Sequence, residues 1–171
     1  LKRCIRVRGF KRLLVTYNWS KYQSEPMGPL NMDHMNTVIA NLKRYVAAGF
    51  DILFEPLHNY GMFTYPDNTT KKFGDPALPD DSLGDVWQKI LMALDAAQVP
   101  IWAIDMHNEA HDLSPTGGDN LTQHPDGTYT LSDSAKDGMA IWKRIVQRTI
   151  NLIRESSTPV TNMSQTVPIS V

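Results

Sequence analysis

Three stretches of this chain place an apolar side chain every three or four residues, and short apolar runs stand between them. The first stripe is Met35, Val38, Ile39, Leu42 and Val46. The second is Leu83, Val86, Trp87, Ile90, Leu91 and Leu94, and the third is Met139, Trp142, Ile145, Val146, Thr149, Ile150 and Ile153. The intervening runs, Arg3–Val7, Ile52–Leu57 and Val99–Asn108, are too short for independent helices and suit strands. Strand and helix therefore alternate. A strand returns parallel to its predecessor only through a crossover, and a helix is the usual one. Alternation thus restricts the chain to βαβ units around a parallel sheet.

Local signals place the boundaries. Asn31 is an N-cap for a helix to about Ala48, and Gly49 sits at its C′ position. Asp81 or Ser82 opens a helix over about Leu83–Ala97, and Ser132 or Asp133 opens one to about Ser156. Pro56 predicts a bulge or an early end to the second strand. Gly9–Leu30 reads as loop, broken by Pro26, Gly28 and Pro29, and a last strand falls at Pro159–Thr161 or Val167–Val171. The two long connections, Met62–Pro79 and Glu109–Leu131, follow strands; those after helices, Gly49–Asp51 and Gln98–Pro100, are short. A TIM barrel shows that asymmetry, because its site is built from the βα loops. The expectation is one domain over residues 1–171. Its fold class is α/β, part of a (β/α)8 TIM barrel: an open half-barrel of about four strands and three helices.

Composition narrows the partners. Hydrophobic residues at 42% can build a core, so the chain is expected to be globular. Lys plus Arg number 17 against 18 Asp plus Glu, which predicts neither a nucleic-acid nor a membrane-surface partner. The basic start, Lys2, Arg3, Arg6, Arg8, Lys11 and Arg12, lacks the aromatic interleaving of a single-strand binder. Cys4 is the single cysteine, so no intrachain disulfide is possible. No signal peptide is visible, and no apolar run is long enough to span a membrane.

The densest polar group, Asp105, His107, Asn108, Glu109, His111 and Asp112, closes the strand Val99–Asn108. The carboxyl end of such a strand is where α/β folds hold ligands. A carboxylate there, beside an amide and imidazoles, is a candidate general acid or base. A second polar group, His58, Asn59 and Tyr60, closes Ile52–Leu57. His107, Glu109 and His111 are spaced HxExH rather than HExxH, so neither a metal nor another cofactor is expected. Asp105, inside an apolar strand, needs hydrogen-bond partners and reads as structural.

Four landmarks in this order resemble family 5 glycoside hydrolases of the cellulase and endo-β-glucanase type. IRV with Arg6 is similar to the strand carrying the family's active-site arginine. Pro29–Asn31, heading an amphipathic helix, is similar to its second helix start. HNYG at His58–Gly61 is similar to its strand-three motif, and IDMHNEAHDL at Ile104–Leu113 to its strand-four Asn-Glu-Pro signature. The helix Met139–Arg154, with QRTINLIRES, is similar to the helix that follows. The match spans nearly all of this chain but about the first half of the family's fold.

The resemblance implies a retaining hydrolase of β-linked polysaccharide, working outside the cell. Glu109 would be the general acid/base, and Asn108 would bind the sugar 2-hydroxyl. His58, Asn59, Tyr60, His111 and Arg6 would line the substrate site. Ala110 and His107 depart from the family's proline and smaller residue. The family's nucleophilic glutamate, on strand seven, has no counterpart here. The resemblance therefore implies a missing barrel half or self-association; a non-catalytic carbohydrate-binding remnant is the alternative.

Trp87 and Trp142 lie in helix stripes and Trp102 in a buried strand. Trp19, with Tyr17 and Tyr22 in a loop, is then the tryptophan expected to contact carbohydrate, alongside Tyr60, Phe63 and Tyr65.

Overall fold

A computed structural model describes residues 12–16, 18–57, 62–107, 121–158 and 160–170 of the 171. The chain runs β1 (Arg12–Thr16), α1 (Trp19–Tyr22), α2 (Met32–Ala47), β2 (Asp51–Glu55), β3 (Met62–Thr64) and β4 (Thr70–Lys72). It continues through α3 (Ser82–Ala96), β5 (Ala103–Asp105), β6 (Leu121–Gln123), β7 (Tyr129–Leu131), α4 (Asp133–Glu155), α5 (Met163–Thr166) and β8 (Ile169–Ser170). The main sheet has the order β1-β2-β5-β8, with every neighbouring pair parallel. Helices α2, α3 and α4 make the three crossovers, so the sheet grows in chain order as the alternation predicts.

The helices form where their local signals put them. Asn31 accepts from the His34 N–H at 3.1 Å, and Ser132 accepts from the Ala135 N–H at 3.0 Å. Gly49, at φ 88°, lets the chain leave α2 in the left-handed conformation. Asp81 makes no cap bond to α3. Its carboxylate instead holds Arg148 of α4 at 2.6 and 2.8 Å, while Asp80 holds Arg144 at 2.6 and 3.1 Å. The stripe of α3 is buried throughout. In α4 the expected stripe loses its first member: Met139 points to solvent, because the contact face there shifts to Gly138, Ile141 and Trp142.

The core lies between the sheet and the helices. Phe54 meets Trp87 edge-on at 6.3 Å, and Ile52 and Ile104 are buried on that same face. The other sheet face stays open: Leu14, paired with Leu53, is 51% exposed. On that face the exposure is at β1, since Ala103 and Glu55 are buried.

Several expectations need correction. Gly9–Leu30 is not loop throughout, since it holds β1 and α1. The run RLLVT has strand chemistry, and α1 is too short to show a helical period. Both long connections contain hairpins, β3–β4 and β6–β7. The two hairpins share one turn design. Asp67 accepts from the backbone N–H and hydroxyl of Thr69, and Asp126 does the same with Thr128. Asn68 and Gly127 carry the positive φ that such turns demand.

Other boundaries move as well. The strand expected at Val99–Asn108 shrinks to Ala103–Asp105. Trp102 is not buried but 43% exposed, with the Arg12 guanidinium 4.0 Å above its ring. Of the two last-strand alternatives, Val167–Val171 contains β8. Thr161, from the other, is tied to Asp95 instead. The strand expected at Arg3–Val7 lies outside the described residues.

The crossing of α3 over α4 depends on Gly84. A Cβ added there overlaps Leu152 Cδ1 and stands 3.1 Å from Leu152 Cβ. Gly84→Val is expected to cost about 1–3 kcal/mol through overpacking. Urea unfolding with an unchanged m-value would confirm it, and a midpoint equal to the parent's would refute it.

Candidate active site at the carboxyl ends of the strands

The carboxyl ends of β1, β2, β5 and β8 share one edge of the sheet. Pairing of Leu53 with Ala103 and Phe54 with Ile104 continues, one residue on, to Glu55 beside Asp105. Side chains alternate along a strand, so both carboxylates belong to the face opposite Phe54 and its helices. Neighbouring strands lie about 4.8 Å apart, so these carboxyl groups start from adjacent backbone positions. Asp105 in turn pairs with Ser170. The edge therefore carries Glu55, Asp105 and Ser170 in a polar row.

Burial differs along this row. Glu55 is buried and Asp105 is half-buried. Burial pushes the Asp105 carboxyl above the usual carboxylate range, against the backbone N–H of His107, which favours its charged form. The structural reading of Asp105 agrees with that hydrogen bond. Glu55 was not singled out by sequence. The signal was present: a carboxylate at the end of the apolar run Ile52–Leu57, the same feature that marked Asp105.

Past Asp105 the strand is held firmly. Trp87 donates its indole N–H to the Met106 carbonyl at 3.0 Å, and the Met106 N–H donates to Ser170 at 3.0 Å. His107 is buried edge-on against Phe73 and Trp142, with ring centroids at 5.5 and 5.9 Å, while those two rings stack on each other at 5.6 Å. Its imidazole is thus packed against aromatic rings. The described chain reaches Leu57 on one strand and His107 on its neighbour, so both motif segments leave from adjacent carboxyl ends. Arg6, His58, Asn59, Tyr60, Asn108, Glu109 and His111 themselves lie outside the described residues.

Trp19 is a correction. Its side chain is 0% exposed and offers no face to a sugar. Phe63 meets it edge-on at 5.2 Å and Phe73 lies 6.2 Å away. Its indole N–H donates to the Gln23 side chain, whose amide donates to Gly28 and to Asp85. Trp19 thus pins hairpin β3–β4 to the core. Phe63 and Tyr22 are likewise buried, and Tyr65 donates its hydroxyl toward the Ala77 carbonyl at 3.4 Å. An aromatic residue in an apparent loop is recruited to the core once that loop folds back as a hairpin.

A cavity of about 410 Å³ lies at the opposite edge, lined by Val99, Pro100, Ile101, Met163, Val167 and Pro168. These residues precede β5 and β8, so the cavity belongs to the amino ends of the strands, the edge that usually serves stability.

No family model matches the sequence, nor does any curated protein sequence. Solved structures do. Endoglucanase Cel5A of Pseudomonas stutzeri aligns at a TM-score of 0.63 and 18% identity, over 90% of this chain and 38% of that one. An endo-β-1,4-glucanase of Xanthomonas axonopodis pv. citri aligns at 0.59 and 16%, over 88% and 37%. XacCel5A in complex with cellopentaose aligns at 0.57 and 22%, over 86% and 37%. The chain thus spans well under half the length of each. At such identities the likeness is one of fold: a mixed α/β chain with a parallel sheet that matches part of these enzymes.

Proposed function

We propose that this chain is part of a retaining glycoside hydrolase that cleaves β-1,4-glucan internally. The observation that supports this most is the parallel sheet that the sequence motif Asn108-Glu109 follows. In sequence they come three and four residues after the end of β5, the third strand of a parallel sheet whose fold matches part of endoglucanases. In this reading Glu109 protonates the leaving oxygen and later activates water. Asn108 binds the sugar 2-hydroxyl, and His58, Asn59, Tyr60, His111 and Arg6 shape the subsite around the scissile bond.

The nucleophilic carboxylate comes from a further segment, one within the length of fold that this chain does not span. That segment, or a second copy, also covers the open sheet face around Leu14. The protein is proposed to act outside the cell, since a β-glucan polymer is too large to enter.

A second reading is a non-catalytic carbohydrate-binding remnant of the fold. The test is reducing-sugar release from carboxymethyl cellulose by the product of the complete coding sequence around this segment. Hydrolysis is expected, with Glu109→Gln lowering kcat by about three or more powers of ten. Hydrolysis unaffected by that substitution would reject Glu109 as the acid/base. Glucan binding without hydrolysis would establish the second reading.

A further inference from the structure

Hairpin β6–β7 has two unlike faces. In the register Leu121↔Leu131, Thr122↔Thr130 and Gln123↔Tyr129, alternation puts Leu121, Gln123, Tyr129 and Leu131 together. Thr122 and Thr130 take the other face, where His124 Nε2 lies 2.9 Å from Thr130 Oγ1. Both strands are exposed along their whole length, Tyr129 by 57% and Leu121 by 52%. A two-stranded hairpin alone is marginal in water, and an exposed aromatic and aliphatic ribbon points to a ligand.

The turn, rather than the core, holds this ribbon in shape. The Thr128 N–H and hydroxyl donate to Asp126 at 3.0 and 2.7 Å. The His124 N–H donates to Thr128 at 2.9 Å, and the Gly127 N–H to His124 at 3.0 Å. Chemistry then selects the ligand. Asp126 is the one carboxylate between residues 121 and 131, which contain no Lys or Arg, and its bonds to Thr128 keep it in the turn. The face offers a phenol ring, an amide directly across from it, and two leucines. A nucleic acid would require cations there. An uncharged ligand with apolar C–H faces and hydroxyl edges fits both the ring and the amide. Topology supplies the place, because the hairpin runs directly into the start of α4, the helix that follows the carboxyl end of β5 and returns antiparallel to it.

We infer that this hairpin is a distal subsite for the glucan chain, with Tyr129 stacking on a sugar ring and Gln123 hydrogen-bonding its hydroxyls. The inference rests on β-glucan as the substrate. It assigns the hairpin to grip long chains away from the cleaved bond, leaving short oligosaccharides indifferent to it.

The test is electrophoresis of the 171-residue chain in native gels containing hydroxyethyl cellulose, with sedimentation velocity on the same samples. Retardation is expected to fall several-fold in Tyr129→Ala, to persist in Tyr129→Phe, and to be untouched by Thr122→Ala on the opposite face. Equal retardation of parent and Tyr129→Ala would overturn the subsite and leave the glucan reading standing. Absence of retardation in the parent, with hydrolysis by the complete product, would do the same. Absence of both would remove the glucan reading and the subsite with it. If Leu131→Ser dissociates an oligomer while retardation stays unchanged, the face joins copies of the chain, and the subsite is likewise overturned.

Discussion

The 171-residue chain assayed alone is expected to release no reducing sugar from carboxymethyl cellulose above the rate of its own Glu109→Gln variant. Retaining hydrolysis needs two carboxyl groups about 5–5.5 Å apart, one protonating the leaving oxygen and one attacking the anomeric carbon. Glu109 supplies the first in the reading above. Glu55 and Asp105 are poor substitutes for the second. Both belong to β2 and β5 themselves, the strands that lead in sequence into the His58 and Glu109 segments, whereas in the reading above the attacking group must face Glu109 across the sugar. Asp105 is further weakened as a nucleophile because burial favours its protonated form. Loss of one member of a catalytic unit costs several powers of ten, and loss of the far cleft wall removes substrate positioning as well. Turnover that disappears in Glu109→Gln would show that a nucleophile exists within these residues, and would refute the expectation.

Asp95→Ala is expected to destabilise the folded chain by about 3 kcal/mol, a large share of the usual 5–15 kcal/mol. Asp95 is fully buried at the end of α3, yet three donors converge on it. The Val160 N–H approaches at 2.7 Å, the Thr161 N–H at 3.0 Å, and the Thr161 hydroxyl bonds the same carboxylate. Removing the carboxylate leaves two backbone N–H groups without their acceptor. It also frees the turn that delivers α5 and β8, so the sheet loses its fourth strand along with the bonds from Ile104 and Met106.

The pH dependence has a definite sign. Burial pushes the Asp95 carboxyl up, but the Thr161 hydroxyl and the two N–H groups outweigh it and hold it below the ordinary 3.8. A depressed carboxyl contributes stability that is present above the unfolded value and lost as pH falls through the folded one. The gap between parent and Asp95→Ala is therefore expected to be full at neutral pH and to close below 3.8. Asp105, whose carboxyl is raised, acts oppositely: its contribution is lost as pH rises through its folded value. Urea midpoints of both proteins measured at pH 7 and at pH 3 check this. A gap that does not narrow at low pH would reject the account of Asp95.

Much of this fold is legible in the residues. The caps Asn31 and Ser132, the stripes of α2 and α3, and Gly49 after α2 are local matters, settled within a turn or two of helix. Strand alternation with long connections on one side implied the parallel sheet, because few chain paths satisfy both. The candidate motifs follow β2 and β5 in sequence for a plain reason: polar side chains cannot stay in an apolar run once it is buried.

Other features depended on partners distant in the chain. Trp19 in an apparent loop looked like a ligand platform, and became core because Phe63 and Phe73 return beside it. Trp102 looked buried, and is exposed because it precedes β5 and pairs with the Arg12 guanidinium from β1 rather than with the core. Glu55 became a site residue only when β5 brought Asp105 alongside. Asp95 breaks a local rule, a negative charge at a helix end that disfavours it, and is repaid by donors more than sixty residues away. Sequence by itself determined the elements whose hydrogen bonds and periodic faces close within a few residues. The tertiary structure decided the rest, because burial and pKa depend on which distant groups exclude water or donate a proton at the same point in space.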